Sequence, residues 1–184
     1  MLLPGHVGGS YLVAAACAKA FPREHGRRRT VTTSLTLFAV GAGLVSDLDI
    51  LTATLRVGWE PLGRVASEHR ASFLHTPWFA VALGVATLVL PRRDRWLWAT
   101  VAGGEVLGHL LLDSLSIGPG VMWLYPWSKA FYGINLANNW YGRDWGSQWL
   151  TRYLVHPLFL IEIALLLGAI VVGWRSRAGR TGPT

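Results

Sequence analysis

The acids and imidazoles of this chain are few, and they recur where apolar runs begin or end. His109 and Asp113 are four apart, so on a helix they share one face a turn from each other, and Glu105 continues the stripe one turn further. Such a stripe is costly in hydrocarbon and must face a cavity or a cation. The plain alternative for each member is a hydrogen-bonded packing residue. Asp47 and Asp49 are two apart, which on a helix turns them roughly 200° from each other. Both reach one centre only if the helix ends there in turned or extended backbone; otherwise they are an acid pair facing water. His69 and His75 are six apart and cannot share a helix face either. His69 and Arg70 then precede a helix, with His75 in its first turns ahead of Pro77, which a first turn tolerates. Ser67 and Glu68 offer capping or supporting contacts, and Arg70 is either a salt-bridge partner or an anion clamp for phosphate or carboxylate. His6, Asp47, Asp49, His69, His75, His109 and Asp113 together are a ligand set for zinc first, or for manganese or non-haem iron, rather than for calcium or a thiolate cluster. Seven ligands exceed the four of one tetrahedral zinc, so one or two ions are expected, and a pair could activate water and steady the oxygens of an in-line phosphoryl displacement.

These residues need elements to carry them to one place. Segments 31–51, 71–91, 96–117 and 153–174 each match the ~20 apolar residues needed to cross a bilayer, and 7–21 is shorter and weaker. The expected fold is all-α: a polytopic membrane bundle of about five helices, the first one short, in a single domain over 1–174 with a basic tail at 175–184. Residues 1–21 are expected to stay as a helix, because a removable signal wants a basic start and the first basic residue is Lys19.

The sequence is 52% hydrophobic and 15% charged, which suits a membrane protein, and its formal charge of +7 falls in a telling pattern. Lys19, Arg23, Arg27, Arg28 and Arg29, then Arg92, Arg93 and Arg95, then Arg175, Arg177 and Arg180 occupy alternate connections, as the positive-inside rule requires. The basic charge is therefore read as topology rather than as a nucleic-acid surface, and no nucleic-acid partner is expected. The topology puts the N-terminus outside and the C-terminus in the cytoplasm. It brings His6, His69, His75, His109 and His156 to the outer face and leaves only His25 on the other. Asp47, Asp49, Asp113, Glu60, Glu68 and Asp144 sort the same way, although the orientation came from Lys and Arg alone. Gly58, Pro61 and Gly63 break a polar connection over 52–70. A longer one over 118–150 is dense in Trp, Tyr and Phe, and is either a lid over the site on the outer leaflet or an aromatic anchoring belt. Cys17 is the single cysteine, so no internal disulfide can form.

The ordered set Gly5-His6, Asp47-Leu48-Asp49, His69-Arg70 with His75, His109-Leu-Leu-Leu-Asp113 and Tyr125-Pro126-Trp127-Ser128 resembles the bacterial membrane-bound metal-dependent hydrolases, the LexA-regulated (YdjM-like) inner-membrane family. The similarity covers about residues 1–135. It implies a multi-helix inner-membrane protein and a hydrolase whose metal these His and Asp residues hold. That family is distantly similar to zinc-dependent phospholipase C enzymes, which have a similar His-x-x-x-Asp step, and this favours a phosphoester substrate. Ser46 stands where the family usually has Pro, Ile50 where it often has His, and Thr76 where Ser is usual. The gap from His69 to His75 is one residue longer than is typical, which shifts weight from His75 to His69. His156 and Glu162 lie outside the pattern and are read as packing or supporting residues.

The function expected is hydrolysis of a lipid or lipid-linked phosphoester by a metal-activated water at the outer face of the cytoplasmic membrane. Arg70 holds the anion in that scheme, and Glu105 or Asp49 is the general base. The alternative is a metal-binding transporter or a non-catalytic membrane protein. A transporter needs a polar path through the bilayer, whereas the ionisable residues here crowd one side.

Overall fold

The computed structural model describes residues 3–21, 31–57, 70–90, 93–115, 120–134, 154–155 and 157–178. They form six helical pieces: α1 (Leu3–Ala20), α2 (Thr33–Val45), α3 (Asp49–Val57), α4 (Pro77–Val89), α5 (Arg95–Leu115) and α6 (Pro157–Ala178). No named strand occurs among the described residues; one antiparallel bridge pairs Val121 with Tyr132. The fold is all-α, as its composition implies.

Local chemistry sets the ends of these helices. Thr32 caps α2, its hydroxyl accepting from Leu35 N at 3.2 Å. Pro77 opens α4 with its missing N–H at a position that needs none. Asp94, at φ 64°, turns the chain into α5 in the left-handed region that Asp tolerates better than most residues.

Three boundaries differ from the sequence expectation. The first helix is not short: it runs 18 residues from Leu3, because Gly8 and the small residues after it let it lie close against α6. A Cβ on Gly8 would sit 2.6 Å from the Leu166 backbone nitrogen, so contact this close needs glycine there. The second helix does not stop at the Asp pair. It tightens into a 3-10 turn over Ser46–Leu48 and resumes as α3 to Val57, which takes up part of the expected loop. His75 is not inside the following helix but in its own 3-10 turn, Phe73–His75, separated from α4 by an extended Thr76. Pro77 explains that break, since the residue before proline is disfavoured in the helical region.

Packing then gathers the pieces. α1 lies against α6, α2 and α5, while α5 also packs against α2 and α4. One apolar cluster joins Ala14, Ala18, Leu35, Ala39, Leu97 and Val101, at the end of the bundle where α1 finishes and α2 and α5 begin. A second joins Ala80, Val106, Leu110 and Val121. The segment 120–134 folds back on the end of α5: Ile134 N donates to Ser114 O at 2.8 Å and Trp123 Nε1 to Ser114 Oγ at 2.8 Å. It contains the turn at Tyr125–Pro126, whose peptide is cis. The remainder of the aromatic connection, 135–150, lies outside the described residues.

Two helical spans, Thr33–Leu55 and Pro157–Ser176, are long and apolar enough to cross a membrane, and Pro77–Val89 is apolar but shorter. Large apolar side chains on α4 and α6, among them Val81, Val85, Val89, Leu160, Leu167 and Ile170, point away from the bundle. In water that would be a liability, whereas against acyl chains it costs nothing.

Candidate metal centre

Chain direction alone places the polar residues together. α1 starts, α2 finishes and α5 finishes at the end of the bundle opposite the first apolar cluster. His6 is therefore level with Asp47, His75, His109 and Asp113. Lys19 and Arg95 sit at the other ends of α1 and α5, and Arg175 lies in the last turn of α6.

Four donor atoms converge. His109 Nε2 lies 3.2 Å from His75 Nε2 and 3.5 Å from Asp47 Oδ1. His75 Nε2 is 3.8 Å from Asp47 Oδ1 and 3.6 Å from Asp113 Oδ2. Asp113 Oδ2 is 3.8 Å from His109 Nε2. A tetrahedral ion with ligands at ~2.0–2.2 Å requires donors ~3.3–3.6 Å apart. These five separations, 3.2–3.8 Å, are close to that spacing, and two overlapping groups that share His109, namely His75–His109–Asp113 and His6–Asp47–His109, could each hold a dication of the zinc kind.

Charge agrees with geometry. Asp49 and Asp113 are 4% and 2% exposed, Asp47 has a quarter of its side chain exposed, and the guanidinium of Arg70 is buried beside them. Buried carboxylates are paired, hydrogen-bonded or bound to metal, and Asp113 is paired with Arg70 here.

His75 and Asp113 are held from behind. His75, wholly buried, faces Asp49 Oδ2 with Nδ1 at 3.0 Å, so its Nδ1–H donates there and its Nε2 lone pair points at the centre. The Ser72 hydroxyl donates to the same Asp49 oxygen, and it also caps the turn that carries His75 by accepting from Leu74 N. Arg70 Nη2 lies 3.3 Å from Asp113 Oδ1, which leaves Oδ2 for the centre. His6 stacks on His109 with ring centroids 4.6 Å apart, and its Nε2 is 3.9 Å from Asp47 Oδ2. His6, Asp47 and His109 thus form a second group of potential ligands beside the first.

The seven expected ligands divide in this geometry. His75, His109 and Asp113 form one group and His6, Asp47 and His109 another, while Asp49 contacts the far nitrogen of His75. This also resolves the angular problem of Asp47 and Asp49. They need not share a face, because the His75 ring spans the gap and meets one at each nitrogen. His69, favoured in the sequence reading over His75, lies outside the described residues, as do Ser67, Glu68, His25 and His156. His75 itself sits at the middle of the cluster. Arg70 is placed as the ion-pair partner of Asp113. Glu105 lies one turn below His109, 3% exposed, with its carboxyl hydrogen-bonded by Ser10 of α1. Ser72 and Ser10 were missed by the sequence reading. Ser72 was findable as a capping residue ahead of a short turn, whereas nothing in spacing relates Ser10 to Glu105.

No curated protein and no solved structure matches the chain significantly. The family model described as YdjM inner membrane protein, in contrast, matches residues 1–180, and the chain therefore belongs to this family of inner-membrane proteins.

Proposed function

We propose that the chain is a membrane-embedded metal-dependent hydrolase that cleaves a lipid or lipid-linked phosphoester at the extracytoplasmic face. The observation that carries this reading is the gathering of His6, His75, His109, Asp47 and Asp113 at one end of the bundle, in two groups of potential metal ligands that share His109. A dication bound there supplies Lewis acidity, lowering the pKa of water from ~15.7 towards ~7 and polarising a phosphoryl oxygen. Zinc suits the donor set best, with manganese or iron as alternatives and a second ion beside His6.

The residues of the chain then have separable tasks. His75, His109, Asp47 and Asp113 bind. Asp49 and Ser72 hold the His75 ring in its tautomer, and Arg70 keeps one oxygen of Asp113 engaged so that the other faces inward. Asp47 is the most exposed of the carboxylates, and its Oδ2 is not one of the four convergent atoms. This oxygen, beside His6 Nε2, is the group best placed to accept the proton of an attacking water. Glu105 is too far down α5 for that role, and Asp49 is committed to His75. The orientation follows the basic residues: Lys19, Arg95 and Arg175 gather at the end opposite the site, which makes that end cytoplasmic under the positive-inside rule. Helices α1, α4 and α5 then cross alongside the two longer spans.

Elemental analysis of the protein purified in mild detergent, together with phosphate or headgroup release from a panel of phospholipids and lipid-linked phosphates, tests the proposal. Stoichiometric transition metal and turnover that His109→Ala abolishes are expected. Metal-free protein after purification without chelator, and no zinc uptake on titration, would overturn it.

A further inference from the structure

Along the outer side of α4 runs an open groove of about 750 Å³, lined by carbon almost throughout. Sequence spacing explains it. Trp78, Val81, Ala82, Val85 and Ala86 recur at the i, i+3, i+4, i+7 and i+8 positions of a helix, so they form one stripe about 12 Å long. Trp78, Val81 and Val85 are 42%, 55% and 53% exposed, so the stripe faces away from the bundle. Ala82 and Ala86 lack the bulk to fill the space beside them, and the face is hollow there. At the site end, the segment 120–134 closes the groove. Trp78 Nε1 donates to Tyr125 O at 2.6 Å, and the rings of Trp78 and Trp127 lie with centroids 5.8 Å apart.

The same end reaches the candidate metal centre. Phe73 lines the groove and belongs to the 3-10 turn that carries His75. That turn shows Phe73, 48% exposed, to the outside and His75, wholly buried, to the inside. One turn of backbone therefore separates the groove from the cluster of His and Asp residues.

The chemistry of the groove selects its occupant. The chain belongs to a family of inner-membrane proteins, and an apolar face on such a protein meets acyl chains. An extended peptide lying in this groove would leave its backbone polar groups unpaired in hydrocarbon. Helices in bilayers approach each other through small residues, whereas Trp78, Val81 and Val85 stand out from this face and hold a second backbone off. Aromatic rings at the site end followed by aliphatic side chains match the passage from headgroup level to hydrocarbon.

We propose that this groove seats one acyl chain of a phospholipid whose headgroup lies at the mouth beside Phe73, level with His75. The seat deepens the hydrolase reading and rests on it for the fate of the headgroup: the chain lies in the groove and the phosphoester is presented to the site. Leaving bulk lipid for the groove brings little hydrophobic gain, so close packing supplies the attraction and the groove acts by orienting the lipid.

The test places the full chain in dodecyl maltoside micelles and titrates in phosphatidylglycerol carrying a diazirine midway along one acyl chain, with labelled peptides read by mass spectrometry. Labelling over residues 81–86 should saturate near one lipid per chain, whereas labelling at Leu160 and Leu167, on the exposed face of α6, should rise in proportion to the probe. Ala82→Leu combined with Ala86→Leu fills the hollow and should reduce groove labelling about tenfold while leaving α6 labelling unchanged. Groove labelling that rises like that of α6, or that survives the double substitution, overturns the inference. Disulfide dimers through Val85→Cys in a Cys17→Ser background overturn it as well, because they put a second copy of the chain in the groove. Saturable labelling in a protein that hydrolyses no lipid keeps the seat and removes the hydrolase reading, and lipid turnover without saturable labelling does the reverse.

Discussion

Replacing Asp113 with Asn is the sharpest probe of the centre, because the geometry dictates how the new side chain must sit. Asp113 Oδ1 is engaged by Arg70 Nη2 at 3.3 Å, and Oδ2 faces the two Nε2 atoms at 3.6 and 3.8 Å. A guanidinium has only donors, so the Asn carbonyl must take the Oδ1 position and the NH₂ group the Oδ2 position. The NH₂ nitrogen offers no lone pair to a metal, so Asp113→Asn removes one ligand and one negative charge while leaving shape and the Arg70 contact in place. Four-ligand zinc sites are worth about 10–16 kcal/mol in small folded peptides, so one ligand is worth roughly 3–4 kcal/mol. At ~1.4 kcal/mol per decade, the zinc Kd should rise about 10²–10³-fold. Competition with a chromophoric zinc chelator in mild detergent measures it, at matched fold content by circular dichroism. Asp113→Ala is the less informative variant, since it also removes a buried acceptor from Arg70, and breaking a buried pair costs about 3–5 kcal/mol of stability. A Kd for Asp113→Asn within about threefold of wild type would refute the assignment of Asp113 as a ligand.

Asp49→Asn, with its carbonyl oxygen at the Oδ2 position, still accepts from His75 and Ser72 but loses the negative charge behind the ring, and should reduce zinc affinity about 10–100-fold, less than loss of a ligand; isothermal titration distinguishes the two. Chelator treatment should lower the thermal midpoint in detergent, and zinc at ~100-fold its Kd should restore about 2.7 kcal/mol; an unchanged midpoint argues against a bound ion. Gly8→Leu forces side-chain atoms into the Leu165–Leu166 backbone of α6 and should cost at least about 1–3 kcal/mol, read as a lower unfolding temperature or loss of the α1–α6 contact in cysteine cross-linking. Gly120→Ala should unseat the segment 120–134, because φ is 93° and a Cβ would lie 2.3 Å from Tyr132 O; increased protease cleavage within that segment reports it, and wild-type resistance would count against the packing described.

Sequence patterns carried the architecture where periodicity and length act locally. The stripe Glu105–His109–Asp113 is buried along one helix as its spacing of four requires, and the apolar runs became helices. What spacing could not show is how a backbone tightens between elements. The 3-10 turn at Ser46–Leu48 keeps the second helix going past the point where the Asp pair seemed to demand an end, and that demand itself assumed that both carboxylates sought one atom. A ring with two nitrogens faces Asp47 on one side and bonds Asp49 on the other. His75 received less weight than His69 because their spacing departs from that of the resembling family, whereas Thr76 and Pro77 set His75 in its own turn, beside the other donors. Ser10 stayed invisible because its partner Glu105 is 95 positions away and only the α1–α5 packing unites them.

The cluster also bears on what keeps these helices associated at all. Apolar side chains gain little by leaving acyl chains for one another, so helices in a bilayer adhere through close contact of small residues and through polar bonds. Ion pairs and hydrogen bonds from Asp49 to His75, and from Arg70 to Asp113, link parts of the chain distant in sequence, with Ser10 and Glu105 as a further tie between α1 and α5. The polar end is thus an adhesive as well as the proposed reaction site. Changes there should loosen the bundle in the membrane even where they spare every apolar contact.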